Sequence, residues 1–149
     1  MLDCDFDMDV ASPGADKVPW IPARKHLTAH ALELPWEGFV WCNAPFGGRN
    51  GLVPWLSKFI RHGHGICLVP DRTSAPWWQD WAPHMDLILF VRSKLKFIAE
   101  NGTAGKSPAQ GTCLGAMGPR AVAALHRAAD QKFGITLAKL ERLDGGPRP

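Results

Sequence analysis

The stretch Asn43-Ala44-Pro45-Phe46-Gly47-Gly48 carries the residue types most suited to chemistry in this chain. The Asn43 side chain offers a carbonyl acceptor, and the Ala44 backbone carbonyl offers a second. Pro45 fixes its own φ and pushes Ala44 toward extended geometry. Phe46 presents a flat face, and the two glycines leave room for a ligand to approach. Two acceptors beside an aromatic plane are complementary to a planar amine, such as the exocyclic amino group of adenine. That nitrogen is a poor nucleophile because its lone pair is delocalised into the ring. Acceptors holding both N–H groups favour a pyramidal nitrogen whose freed lone pair can attack an activated methyl group. Stacking on Phe46 holds the base out of a duplex, a contact worth about 1–3 kcal/mol. The same tetrapeptide also serves as an ordinary strand-to-helix turn.

Other constellations carry less. His62-x-His64 with Cys67 lacks a second ligand pair at structural-zinc spacing, so a glycine-rich helix end describes it better and no metal is expected. Asp3, Asp5, Asp7 and Asp9 alternate and fall on one side of a strand; Asp9 stands apart because it ends that strand. Arg92, Lys94 and Lys96 share one side of an extended segment, which suits either a charge-guarded edge or contact with DNA phosphates. Arg72 has two candidate partners, the adjacent Asp71 or a phosphate. Trp77-Trp78 suits packing more than base stacking. None of Cys4, Cys42, Cys67 and Cys113 forms a CxxC pair, and three lie in apolar runs, as buried free thiols in a reducing compartment do.

The elements that position these residues follow from pattern. The 149 residues suit one domain, and 46% hydrophobic with 21% charged content excludes disorder throughout. The longest clean aliphatic or aromatic run, Leu87 to Val91, is far short of the roughly 20 residues a membrane-spanning helix needs, and no signal peptide is visible. A net charge of +3 permits a nucleic-acid partner without demanding one. Seven Trp with no Tyr suggest either a Trp-rich core or a stacking surface.

The alternation of Phe6, Met8 and Val10 predicts a strand broken by Ser12-Pro13-Gly14. Ala23 to Leu34 reads as a short helix. Phe39 to Cys42, Ile66 to Val69 and Leu87 to Val91 read as buried strands, and Thr112 to Met117 as a small-residue strand. Leu52, Trp55, Leu56, Phe59 and Ile60 have helical spacing, as do Val122, Ala123, Leu125 and Ala129; Pro76 to Trp81 starts another helix. Lys94 to Ile98 reads as extended, and Glu100 to Gly111 as a polar loop. This alternation predicts an α/β domain over residues 1–138 with a mostly parallel sheet, followed by a disordered tail over 139–149. Ligands bind beyond the carboxyl ends of such strands, which singles out Ala11 to Gly14, Asn43 to Gly48 and Pro70 to Ser74.

Four segments in order carry a resemblance. They are 6–12 (FDMDVAS), 34–47 (LPWEGFVWCNAPFG), 68–73 (LVPDRT) with Trp77-Trp78, and 94–97 (KLKF). Together they resemble the phage-type DNA N-6-adenine methyltransferases over roughly residues 5–118. The resemblance implies a Rossmann-like S-adenosylmethionine-dependent methyltransferase fold, double-stranded DNA as partner, S-adenosylmethionine as methyl donor, and a bacterial cytoplasmic setting in phage or prophage. It implies that Asn43 and the Ala44 carbonyl hold the target amino group, that Pro45 stiffens the loop, and that Phe46 stacks on the flipped base. It puts Asp9, Val10 and Ala11 on the donor side, and Arg72, Thr73, Lys94 and Lys96 on the DNA side.

Three departures from the family pattern follow. Ala44 replaces the first proline of the motif. The place where the family often carries an acid falls here near His30 and Ala31. The family's upstream Trp-Tyr-Thr-Pro-like segment is missing, which implies a shortened copy. The expected activity is adenine-N6 methylation of DNA. The alternatives are a DNA-binding remnant of the same fold that no longer binds the donor productively, or the same loop acting on RNA or a free amine.

Overall fold

The computed structural model describes residues 2–47, 51–96, 103 and 110–138. Gly48, Phe97, Ile98, most of the 100–111 loop and the 139–149 tail lie outside the described residues. The elements in chain order are β1 (Phe6–Asp9), β2 (Ala23–His26), β3 (Val40–Cys42), α1 (Val53–His62), β4 (Gly65–Pro70), α2 (Pro76–Trp81) with a 3-10 turn over Ala82–His84, β5 (Leu87–Val91), β6 (Thr112–Met117), α3 (Pro119–Asp130) and β7 (Gly134–Ala138). They form an α/β fold around one sheet of order β2-β1-β3-β4-β6-β5-β7.

The expected mostly parallel sheet is corrected. Parallel pairing joins β2, β1, β3 and β4, but β4–β6, β6–β5 and β5–β7 are antiparallel. Apolar runs specify burial on both faces and carry no direction. Two local expectations also change. Ala23 to Leu34 is not a helix: 23–26 pair in parallel with β1, and His30 has φ +54°, which a right-handed helix excludes. The β7 strand was not foreseen at all.

The other elements follow from their residues. In α1, Leu56 and Phe59 face the core, and Gly63 ends the helix at φ +72° with its N–H on the Phe59 carbonyl at 2.9 Å. One sheet face packs Met8, Val10, Val40, Cys42, Cys67 and Val69 against α1 and α2; the other packs Phe39, Ile66, Leu89 and Leu114 against α3. Three thiols are buried within these strands. Burial pushes Cys42 and Cys113 each up to about 12 and Cys67 well above the ordinary value, so they stay protonated and inert.

The topology has one consequence for function. Strands β1, β3 and β4 are parallel neighbours, so the three loops after them leave from one edge of the sheet. Strand β5 runs antiparallel to β6, which runs antiparallel to β4, so β5 ends at that edge too.

Candidate functional site

At the end of β3 the chain leaves the core in steps. Cys42 and Ala44 are buried, Asn43 is half-buried, Pro45 is exposed, and Phe46 is 40% exposed. The Phe46 ring therefore reaches the protein surface at the outer end of this turn.

Beside it, at the end of β1, Asp9 is only 3% exposed. The Ala11 N–H donates to its Oδ1 at 3.3 Å, and His26 Nδ1 lies 3.6 Å from its Oδ2. Ser12 Oγ is hydrogen-bonded to the same His26 Nδ1 at 2.8 Å and accepts the Gly14 N–H at 3.1 Å. Ser, His and Asp together suggest a hydrolytic triad. Here both partners address one ring nitrogen, whereas a triad needs opposite nitrogens. The cluster therefore shapes the turn after β1 rather than forming a nucleophile.

Desolvation raises the Asp9 carboxyl above the ordinary aspartate value, against the opposing pull of the Ala11 N–H, Ser12 and His26. The folded chain thus favours protonated Asp9, a contribution fully present below the unfolded pKa and lost as pH rises through the folded one. Asp9→Asn removes the buried charge at nearly constant shape. It is expected to melt a few degrees above the native chain at pH 8 and at the same temperature at pH 3, as scanning calorimetry at both pH values would read.

An open cleft of about 450 Å³ lies between the ends of β1 and β3. Its floor includes Ala11 and Ser12, one wall is Leu27 to Glu33, and Pro45 and Trp55 close the other side. The volume falls within the roughly 300–1,000 Å³ typical of small-molecule sites. Leu27, Ala31, Pro45 and Trp55 give it apolar faces, and Ser12, Thr28, His30 and Glu33 give it polar ones. His30 Nδ1 and Glu33 Oε2 pair across the lip at 3.3 Å.

The sequence-predicted residues divide accordingly. Ala11 and Pro45 line the cleft, and Asp9 is buried behind its floor. Val10 is fully buried in the core against the helices, so its side chain packs. Asn43, Ala44 and Phe46 flank the cleft through Pro45. Arg72, Thr73, Lys94 and Lys96 do not line it, but all are exposed and leave the same sheet edge. From β3 to β5 is three strand places, about 14 Å at roughly 4.8 Å per strand.

The sequence reading missed Thr28, Glu33, Trp55 and His26. Glu33 lies in the cleft wall, placed there by the turn after β2. The His62-x-His64 pair does not converge with Cys67: His62 Nε2 bonds the Gly38 carbonyl at 2.8 Å, and His64 packs on Phe39. Among the described residues no group of three His, Cys, Asp or Glu is arranged to hold a metal, and no helix is long and apolar enough to cross a membrane. No protein-family model, curated protein or solved structure matches the chain.

Proposed function

We propose that the chain is an S-adenosylmethionine-dependent DNA adenine-N6 methyltransferase with a Rossmann-like methyltransferase architecture. One observation carries this reading: Pro45 of the Asn-Ala-Pro-Phe loop forms a wall of the cleft whose floor is the end of β1. A base on the loop and a nucleoside in the cleft are thereby neighbours.

The residues present suit the donor. Apolar faces from Leu27, Ala31, Pro45 and Trp55 suit a purine, and Ser12, Thr28 and Glu33 offer hydrogen-bonding partners for ribose hydroxyls and an amino-acid group. Bound there, S-adenosylmethionine supplies an electrophilic methyl group and leaves as S-adenosylhomocysteine. The chain's own work lies on the acceptor side. The Asn43 side-chain carbonyl and the Ala44 backbone carbonyl accept the two N–H groups of the target amine and free its lone pair. Phe46 covers the base from one face. The displaced proton leaves to solvent from the cationic product nitrogen, so no strong side-chain base is required. Proximity and orientation supply most of the rate.

Double-stranded DNA is the partner this reading assigns to the exposed cations at the sheet edge. Each of Arg72, Lys94 and Lys96 that meets a phosphate contributes about 0.9 to the slope of log affinity against log salt. Lys94→Ala with Lys96→Ala is therefore expected to lower that slope by about 2, measured by fluorescence anisotropy of a duplex oligonucleotide between 50 and 200 mM salt, which are about the limits over which such slopes are read.

The test of the donor assignment is calorimetric titration with S-adenosylhomocysteine. Saturable one-site binding that Glu33→Ala and Trp55→Ala weaken supports the reading. A chain that binds duplex DNA but no S-adenosylhomocysteine is the DNA-binding remnant instead.

A further inference from the structure

The wall of the cleft, residues 27–34, contains no helix or strand beyond the end of β2. Its conformation nonetheless includes a non-glycine residue at positive φ, His30, so something must hold it. Two backbone bonds do so locally, from the N–H groups of Glu33 and Leu34 to the His30 carbonyl, each at 2.9 Å. These leave the carbonyls of Ala31, Leu32 and Leu34 to be satisfied elsewhere.

One side chain reaches all three. Lys58, on α1, donates from Nζ to the Ala31 carbonyl at 2.9 Å, to the Leu32 carbonyl at 3.0 Å and to the Leu34 carbonyl. An ammonium has three donors, and here each finds a different backbone acceptor of one turn. Trp36 completes the arrangement: its Nε1–H also donates to the Ala31 carbonyl at 2.8 Å, and its ring lies 5.1 Å from the Lys58 ammonium. Trp36 packs in turn on Trp55, the aromatic side of the cleft, at 6.4 Å between centroids. Lys58 therefore ties the helix that carries Trp55 to the opposite wall. Lysines on a helix surface ordinarily extend into water, and a threefold carbonyl socket is not needed to keep α1 folded.

We propose that Lys58 is a positioning residue of the cleft, fixing the 27–34 wall against which the nucleoside part of the methyl donor binds. The donor itself rests on the function proposed above; the wall-fixing role does not. Lys58→Met keeps the stem and removes the donors, and Lys58→Arg keeps a cation able to reach carbonyls.

The test combines hydrogen exchange with S-adenosylhomocysteine titration on the full chain. In Lys58→Met the amides of 30–34 are expected to exchange at least tenfold faster while those of β4 and β6 are unchanged, the loss of a charged hydrogen-bond set. Affinity for S-adenosylhomocysteine falls about tenfold or more, duplex DNA affinity is unchanged, and Lys58→Arg recovers most of both losses. In turnover, the KM for the donor rises while the KM for DNA does not. Unchanged exchange at 30–34 in Lys58→Met overturns the inference, whatever binds. So does faster exchange with unaltered affinity in a native chain that binds the nucleoside. If exchange accelerates and the native chain binds no S-adenosylhomocysteine, Lys58 stands as the anchor of the wall and the donor assignment falls instead.

Discussion

Asn43→Ala is expected to lower methyl transfer to duplex DNA by about 100-fold or more, the scale of losing one preorganised polar group aimed at developing charge. The loss should fall on kcat. Asn43 flanks the cleft without lining it, so affinity for S-adenosylhomocysteine is expected to stay within about twofold of native, well below the effect of a lost hydrogen bond. The side chain is half-buried at a strand end, so the variant should melt close to the native chain. Asn43→Asp keeps an acceptor oxygen and should retain more activity than Asn43→Ala. Phe46→Ala removes the stacking surface and should weaken binding of an unpaired adenine by about 1–3 kcal/mol without altering the fold. These outcomes are read from single-turnover kinetics, calorimetry and melting curves on the same preparations. Equal activity in Asn43→Ala and the native chain would remove the loop from the chemistry.

Gly115→Ala is expected to cost the fold substantial stability. Strand β6 lies in the interior of the sheet between β4 and β5, and Gly115 stands where the Trp81 ring crosses it. A Cβ there would overlap the edge of that ring and lie 2.7 Å from Met85 Sδ. Trp81 is 1% exposed and cannot swing into solvent without opening the core. Its indole N–H and that of Trp78 are buried without a hydrogen-bond partner among the described residues. The packing there is already committed to one arrangement. Forcing a methyl group into a filled core costs about 1–3 kcal/mol, and a rigid indole against an interior strand puts this site at the upper end. A fall in Tm of about 5–10 °C follows for a domain this size. Gly47→Ala is the control: a Cβ there meets nothing within 4 Å, so its Tm should stay near native. Equal melting of the two variants would show that Trp81 does not pack as described.

The candidate loop was legible in the sequence, and the cleft beside it was not. Asn43 to Phe46 could be read because acceptor, proline and aromatic lie consecutively, so their chemistry is local. The loops after β1, β3 and β4 could be read as one edge because each follows a buried apolar run. The cleft wall could not be read. Ala23 to Leu34 has helix-forming residues, and only pairing with β1 turns 23–26 into a strand, a tertiary effect that overrides local propensity. Misreading that segment also hid Glu33, since an acid on a presumed helix has no reason to meet Pro45. The directions of β6 and β7 were likewise hidden, because apolar runs such as 87–91 look the same in either orientation. Lys58 gave no signal at all: a lysine at helical spacing reads as solvated until the three carbonyls it binds are placed.

Nucleoside analysis by mass spectrometry, after incubating the native chain with S-adenosylmethionine and unmethylated duplex DNA at low salt, tests the central claim most directly. The predicted result is N6-methyladenine that increases with the concentration of the chain and requires the donor. The absence of N6-methyladenine with the chain folded and both substrates in excess would contradict it.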